Sequence, residues 1–328
     1  MPEVKVGIIG CGGIARHHLS KLSKIPEVKL VAYADVVLER AKECAKIYGG
    51  NAYQDYHTML DKEQIDACFI CIPPFAHTDQ EIICAEKDIH FFVEKPVALT
   101  LKKAKEILKA VERYKIITQV GYVMRFVDAF IKAREVLHSR GGELGLFEAW
   151  RYGGVVGDVT HWWRHRELSG GQLVEQSTHQ VDLARWYMGD VEEVFARFQT
   201  TLLNDLPGFS IESASIVTLK FKNNAIGVIT STCASQKKGR TSGFRIIARK
   251  LQIESLPSRS CRIIEGDNIQ EIRNVRDPFL EEDKHFIQCV IKGEETNVPY
   301  IEGVKTLEVT LAAVKSAETG RNIRLPLT

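Results

Sequence analysis

One turn constrains this chain more than any other segment. An apolar run, Val4 to Ile9, leads straight into Gly10-Cys11-Gly12-Gly13-Ile14-Ala15, and a helix-compatible stretch follows. The spacing Gly10-x-Gly12-x-x-Ala15 predicts a strand, a tight turn and a helix packed back on the strand. Gly10 permits the turn, Gly12 lets the backbone approach a pyrophosphate, and Ala15 is small enough for close helix–strand packing. Free N–H groups and the positive end of the helix dipole, at Gly13 and Ile14, suit phosphates. A second apolar run, Val28 to Ala34, ends in Asp35. That is close to the ~20-residue spacing at which an acidic residue reaches the ribose hydroxyls of a dinucleotide. A carboxylate there repels a 2′-phosphate. Val36, Val37 and Leu38 bring no cation, and Arg40, on the predicted next helix, is the nearest. The expected cofactor is therefore NAD rather than NADP, with Gly10, Gly12, Gly13, Ile14, Asp35 and Arg40 around it.

The chain has 328 residues, enough for two ordinary domains. A hydrophobic fraction of 45% and a charged fraction of 26% suit a globular protein. The formal net charge of +2 gives no reason to expect a nucleic-acid or membrane partner. No apolar stretch is long enough to span a bilayer. The start runs directly into a strand without the pattern of a signal peptide, so a cytoplasmic location is expected. The eight cysteines fit reduced, buried thiols. Cys68 and Cys71 form a C-x-x-C within a strand-like run, where residues three apart face opposite ways, so no metal is expected there.

Strand-like and helix-like runs alternate over the first ~120 residues, the pattern of a parallel α/β sheet. The strands are expected at Lys5–Ile9, Lys29–Ala34, Ala67–Ile72, His90–Val93 and Ile116–Val120, with helices at Leu38–Tyr48, His77–Glu86 and Leu101–Tyr114. From about Leu144 the runs read as antiparallel strands, with Lys222-Asn223-Asn224 as a turn. A helix at Val304–Thr319 ends at Gly320. The expected architecture is an α/β Rossmann domain over 1–122. An α+β domain over 123–328 follows, with a large, mostly antiparallel open sheet. The outward face of such a sheet favours a homo-oligomer.

Several segments carry candidate chemistry. Phe91-Phe92-Val93-Glu94-Lys95-Pro96 ends a buried strand at the carboxyl edge of the parallel sheet, where such sheets place ligands. Pro96 disfavours a helical conformation at Lys95. Lys95 is thus a rim residue aimed at a ligand, or a solvated strand-end lysine. In the segment from Ser169 to Trp186, a continuous helix puts Glu175, His179, Asp182 and Trp186 on one stripe. The carboxylate then orients the imidazole and raises its basicity, or the two are a surface pair. A metal reading of Glu175, His179 and Asp182 lacks further ligands at suitable spacing. Trp162 and Trp163, flanked by Arg164 and His165, suggest a sugar platform. Tyr122 and Arg125 follow the Ile116–Val120 strand; Arg125 is a substrate ligand or an interdomain salt bridge.

Taken together, these segments resemble the glucose–fructose oxidoreductase / inositol dehydrogenase (Gfo/Idh/MocA) family. The resemblance is carried by Gly10-x-Gly12-x-x-Ala15, Asp35, Cys71-Ile72-Pro73-Pro74 with His77, and Glu94-Lys95-Pro96. It continues in Gly121…Arg125-Phe126, Gly170-Gly171…Glu175…His179…Asp182 and the ending Ser316-Ala317-Glu318-Thr319-Gly320. It implies hydride transfer between a nicotinamide and a sugar or cyclic polyol, by a homodimer or homotetramer. Ile72, Pro73, His77, Glu94 and Lys95 are then further cofactor contacts, Lys95 the catalytic lysine and His179 the general base. Glu175 supports His179 as a third catalytic residue, and Lys95, Glu175 and His179 also contact substrate. Inositol dehydrogenases carry Asp four residues before this histidine; here the residue is Glu175. A redox-cycling, NAD-dependent glycosidase and a non-catalytic ligand-binding regulator are the alternatives on the same fold.

Overall fold

The computed structural model describes residues 3–327. They form two compact units, one running to Val123 and including Asp277–Val304, the other made of Met124–Arg276 and the chain from Lys305 on.

The first unit is a six-stranded sheet in the order β3-β2-β1-β4-β5-β6. Its strands are β1 (Val4–Ile9), β2 (Val28–Ala34), β3 (Asn51–Tyr53), β4 (Ala67–Ile70), β5 (His90–Val93) and β6 (Thr118–Val120). All neighbours are parallel. The helices are α1 (Gly13–Leu22), α2 (Leu38–Tyr48), α3 (Tyr56–Lys62), α4 (Gln80–Glu86) and α5 (Leu101–Tyr114). Strands covered on both faces need apolar side chains, which is why β4 reads Ala-Cys-Phe-Ile and the buried part of β5 reads Phe-Phe-Val after the half-buried His90. Phe69 and Phe92 stack with ring centroids 4.7 Å apart, and Phe286 meets Phe69 edge-on at 5.5 Å.

Phe286 belongs to a helix, Pro278–Lys292, that the sequence reading placed in the second domain. It packs in the first unit's core with Ile287. The Asp277 side chain caps its start by accepting from the Phe279 N–H, and Gly293 at φ +69° ends it. Residues 277–304 thus belong to the first unit together with the chain up to Val123.

The second unit, among the described residues, holds a nine-stranded sheet. Its elements are α6 (Asp128–Arg140), β7 (Leu144–Tyr152), α7 (Arg166–Ser169), α8 (Gln172–Glu175), α9 (Thr178–Met188), β8 (Val191–Gln199), β9 (Ala214–Phe221), β10 (Ile226–Thr232), β11 (Thr241–Ala248), β12 (Gln252–Leu256), β13 (Ser260–Glu265), β14 (Asn268–Ile272) and, near the end, β15 (Ile323–Arg324). The strand order is β14-β13-β12-β11-β7-β10-β9-β8-β15. Every pairing is antiparallel except β7 with β10. Alternation is clean in β9: Val217, Leu219 and Phe221 are buried, while Ile216, Thr218 and Lys220 face outward. The Asn223 carboxamide accepts from the Ala225 N–H while Asn224 takes φ +69°, which makes the expected turn.

Candidate active site

The strand order of the first unit reverses between β1 and β4, and ligands bind such sheets at that switch point beyond the carboxyl ends. Gly10 stands there at φ +85°, and a Cβ on it would lie 2.5 Å from the Cys71 carbonyl oxygen. Only glycine satisfies both conditions. Gly12 and Gly13 differ: a Cβ on either would meet nothing within 4 Å. That is open space over the start of α1, which has no side-chain cap and no acidic residue in its first turn. Asp35 closes the arrangement. One carboxylate oxygen accepts from the Cys11 N–H at 2.8 Å, the other from the Val37 N–H at 2.8 Å. The Arg40 guanidinium lies 4.0 Å from Asp35. The loop after β4 brings Cys71 and Ile72 against Gly10, and Pro73 then leads into a short 3-10 turn. His77 is buried, its Nδ1 2.5 Å from Glu81, while its buried Nε2 has no protein partner. An uncapped helix start, an open glycine shelf, a fixed acid and an orphaned ring nitrogen fit a dinucleotide.

Lys95 follows β5 at the same edge, and Tyr122 follows β6, fully buried. Glu94 accepts from the Lys95 backbone N–H at 3.1 Å and lies 3.0 Å from His18 Nε2. Gly121 makes room for it, since a Cβ there would come 3.0 Å from the carboxylate. The other nitrogen of His18 lies 2.7 Å from Asp283. His18 and Asp283 are wholly buried. Burial opposes a charge on His18, but Asp283 and Glu94 outweigh it and hold the imidazole well above its usual range. Burial raises the Asp283 carboxyl despite His18 beside it. Sequence reasoning missed this chain of groups. His18 shares the inward face of α1 with Ala15, Leu19 and Leu22, so a histidine in an apolar stripe was a readable signal. Asp283, far along the chain, offered none.

In the second unit the expected single helix is two. Helix α8 ends at Glu175 and α9 begins at Thr178. The Ser177 N–H reaches back to the Gln172 carbonyl at 3.0 Å, and its hydroxyl donates to the Gln172 side chain at 3.0 Å. This closes α8 and restarts the helix as α9, so the segment expected as one continuous helix is interrupted between Glu175 and Thr178. Glu175 accepts from the Gln176 side chain, whose oxygen accepts from Arg151. His179 is half-buried on the first turn of α9. Asp182 is fully buried and takes a two-pronged bond from Arg125, at 2.9 and 2.6 Å. Arg125 is thus engaged in a salt bridge inside the second unit, not between the two units.

The tryptophans are also separated. Trp162–Arg164 form a single 3-10 turn. Trp163 is 1% exposed and packs with Ile211 and Cys233 in a small core of its own. Trp162 is half-buried with His161 stacked on it, and Arg164 donates to the Gly157 carbonyl. His165 lies 3.9 Å from Glu167. A paired indole platform is not present; Trp163 supports the loop from within.

The nucleotide cradle and the rim residues beside it define an NAD-binding oxidoreductase of Rossmann architecture. The chain belongs to the Gfo/Idh/MocA oxidoreductase family. Residues 4–122 match the family's NAD-binding Rossmann domain, and residues 130–254 match its C-terminal domain. It is 28% identical to myo-inositol 2-dehydrogenase of Thermotoga maritima, over 98% of both chains. It is 27% identical to scyllo-inositol 2-dehydrogenase (NAD(+)) of Bacillus subtilis, over 98% of this chain and 96% of that one. The fold matches levoglucosan dehydrogenase, solved with NADH and L-sorbose, at a TM-score of 0.92 over the full length of both chains, with 19% identity.

Proposed function

We propose that the protein is a dehydrogenase that oxidises a secondary hydroxyl of a sugar or cyclic polyol, with NAD preferred over NADP. The observation that carries this reading is the shared edge of one sheet. The glycine turn after β1, Asp35 after β2, Ile72 after β4, Lys95 after β5 and Tyr122 after β6 all leave the carboxyl ends of parallel strands. The inositol dehydrogenases among its relatives support the substrate class. For NAD over NADP the support is Asp35, whose two fixed oxygens set a negative charge where a 2′-phosphate would sit.

The nicotinamide, when bound, supplies the acceptor for the hydride that leaves the carbinol carbon. Lys95 hydrogen-bonds the reacting oxygen, its backbone fixed through Glu94 and the buried His18. His179 accepts the hydroxyl proton, with Glu175 nearby in sequence but oriented through Gln176. Such acid–base help contributes about 10²–10⁴-fold. Lys95→Ala and His179→Ala should each lose most of kcat while NAD still binds. Wild-type kcat in both variants would refute the assignment. We further assign the chain to a reducing compartment such as the cytoplasm, in keeping with eight buried free thiols. The exposed Ile216 and Ile226 on the outer sheet face support a homodimer or homotetramer.

A further inference from the structure

Two neighbouring strands of the second unit end in the same unusual way. The inward row of β7 runs Phe147, Ala149, Arg151; beside it β11, read backwards, runs Ile246, Phe244 and then the exposed Ser242, and the exposed Arg240 stands just before the strand. Phe147, Ala149, Phe244 and Ile246 are buried core residues. Arg151 and Ser242 are directly paired across the two strands. The core rows thus give way to guanidinium groups at one end of the sheet. Between them lies a cleft of about 410 Å³, the size of a small-ligand site, and no acidic residue lines it.

The chain makes room for these groups. After β7 come Gly153 and Gly154. A Cβ on Gly153 would lie 2.5 Å from an Arg151 guanidinium nitrogen, and one on Gly154 would lie 1.9 Å from Arg240. Any side chain at either position would push a guanidinium aside. Arg151 is half-buried and donates to the Gln176 side chain, with Glu175 acting on it from beyond. Arg240 has no acidic partner among the described residues, and Lys237 and Lys238 precede it. The half-buried Arg151 keeps its proton, and the exposed Arg240 lines the cleft from its rim. The planar fork of a guanidinium fits a carboxylate or a phosphate with two parallel bonds.

We propose that this cleft holds an anionic substituent of the substrate, a carboxylate or a phosphate, so that the polyol oxidised is a sugar acid or a sugar phosphate. The inference rests on the reading that the second unit binds substrate. It is tested by calorimetric titration of the full chain, saturated with NAD⁺, with D-glucuronate, D-glucose 6-phosphate, D-glucose and myo-inositol. One charged probe should bind at least about tenfold more tightly than D-glucose, which is ~1.4 kcal/mol. Preference for glucuronate identifies a carboxylate site, and preference for the phosphate ester a phosphate site. Arg240→Met should abolish that preference and leave the affinity for D-glucose in place. Equal binding of charged and neutral probes, or a preference that survives Arg240→Met, overturns the inference. NADH formation is followed in the same samples. NADH from neutral polyols with no charge preference removes the anion site and keeps the dehydrogenase. A charged probe held tightly, with no NADH from any probe, keeps the anion site and counts against the dehydrogenase.

Discussion

Replacing His18 with glutamine isolates the buried charge chain that fixes Glu94 behind Lys95. In the wild type, Nδ1 meets Asp283 at 2.7 Å and Nε2 meets Glu94 at 3.0 Å, with no solvent access to the ring. Glutamine is of similar length and can still donate, but it is neutral. Asp283 then becomes a buried carboxylate without its cation. Removing one partner of a buried ion pair costs about 3–5 kcal/mol. The pH dependence separates this cause from lost packing. His18 has a folded pKa well above 6.5, so its stabilisation is fully present below about 6.5 and fades as pH rises through the folded value. Glutamine removes that alkaline loss. In its place Asp283, already raised by burial from 3.8, opposes folding increasingly as pH climbs from about 4. Urea unfolding followed by circular dichroism from about pH 4 to pH 9 tests both parts. A deficit under ~1 kcal/mol at neutral pH, or an alkaline loss unchanged in the variant, would refute the reasoning.

Asp35→Ser keeps a small polar group but removes the charge that Cys11 and Val37 hold in place. The ratio of kcat/KM for NAD⁺ over NADP⁺ should fall at least about tenfold; an unchanged ratio would place discrimination elsewhere. Phe286→Ala should destabilise the first unit by about 3–5 kcal/mol, because Phe286 fills the core beside Phe69 and Phe92. A cost under ~1 kcal/mol would mean that residues 277–304 do not belong to that core.

The first unit was legible where local chemistry decided the outcome. The glycine turn and the apolar strands β1, β2, β4 and β5 carry their own signals, and helices α2 and α5 fall where their periodicity puts them. Strand β3 was missed because it is a three-residue edge strand; Gly50, at φ +85° and tight against the Val31 carbonyl, leads into it. Strands β12 to β14 form a local meander, but short strands of mixed polarity, with Ile269 exposed and only Ile253, Cys261 and Ile263 buried, give a weak alternation signal. Nothing local to Pro278–Lys292 says which sheet it will cover. Within the site, the Glu175–His179 spacing suggested one helix. The break depends on Ser177 reaching back to Gln172, a side-chain bond that helical periodicity does not register. Arg125 was read from its place after the Ile116–Val120 strand, and its buried partner Asp182, 57 residues on, is a pairing that no local pattern announces.

The most direct measurement is NADH absorbance over time, with purified protein, NAD⁺ and a panel of inositols, aldoses, uronates and aryl glycosides, and NADP⁺ in parallel. The account predicts a steady rise with at least one polyol or sugar, faster with NAD⁺ than with NADP⁺. Release of aglycone from a glycoside without any net NADH would contradict it.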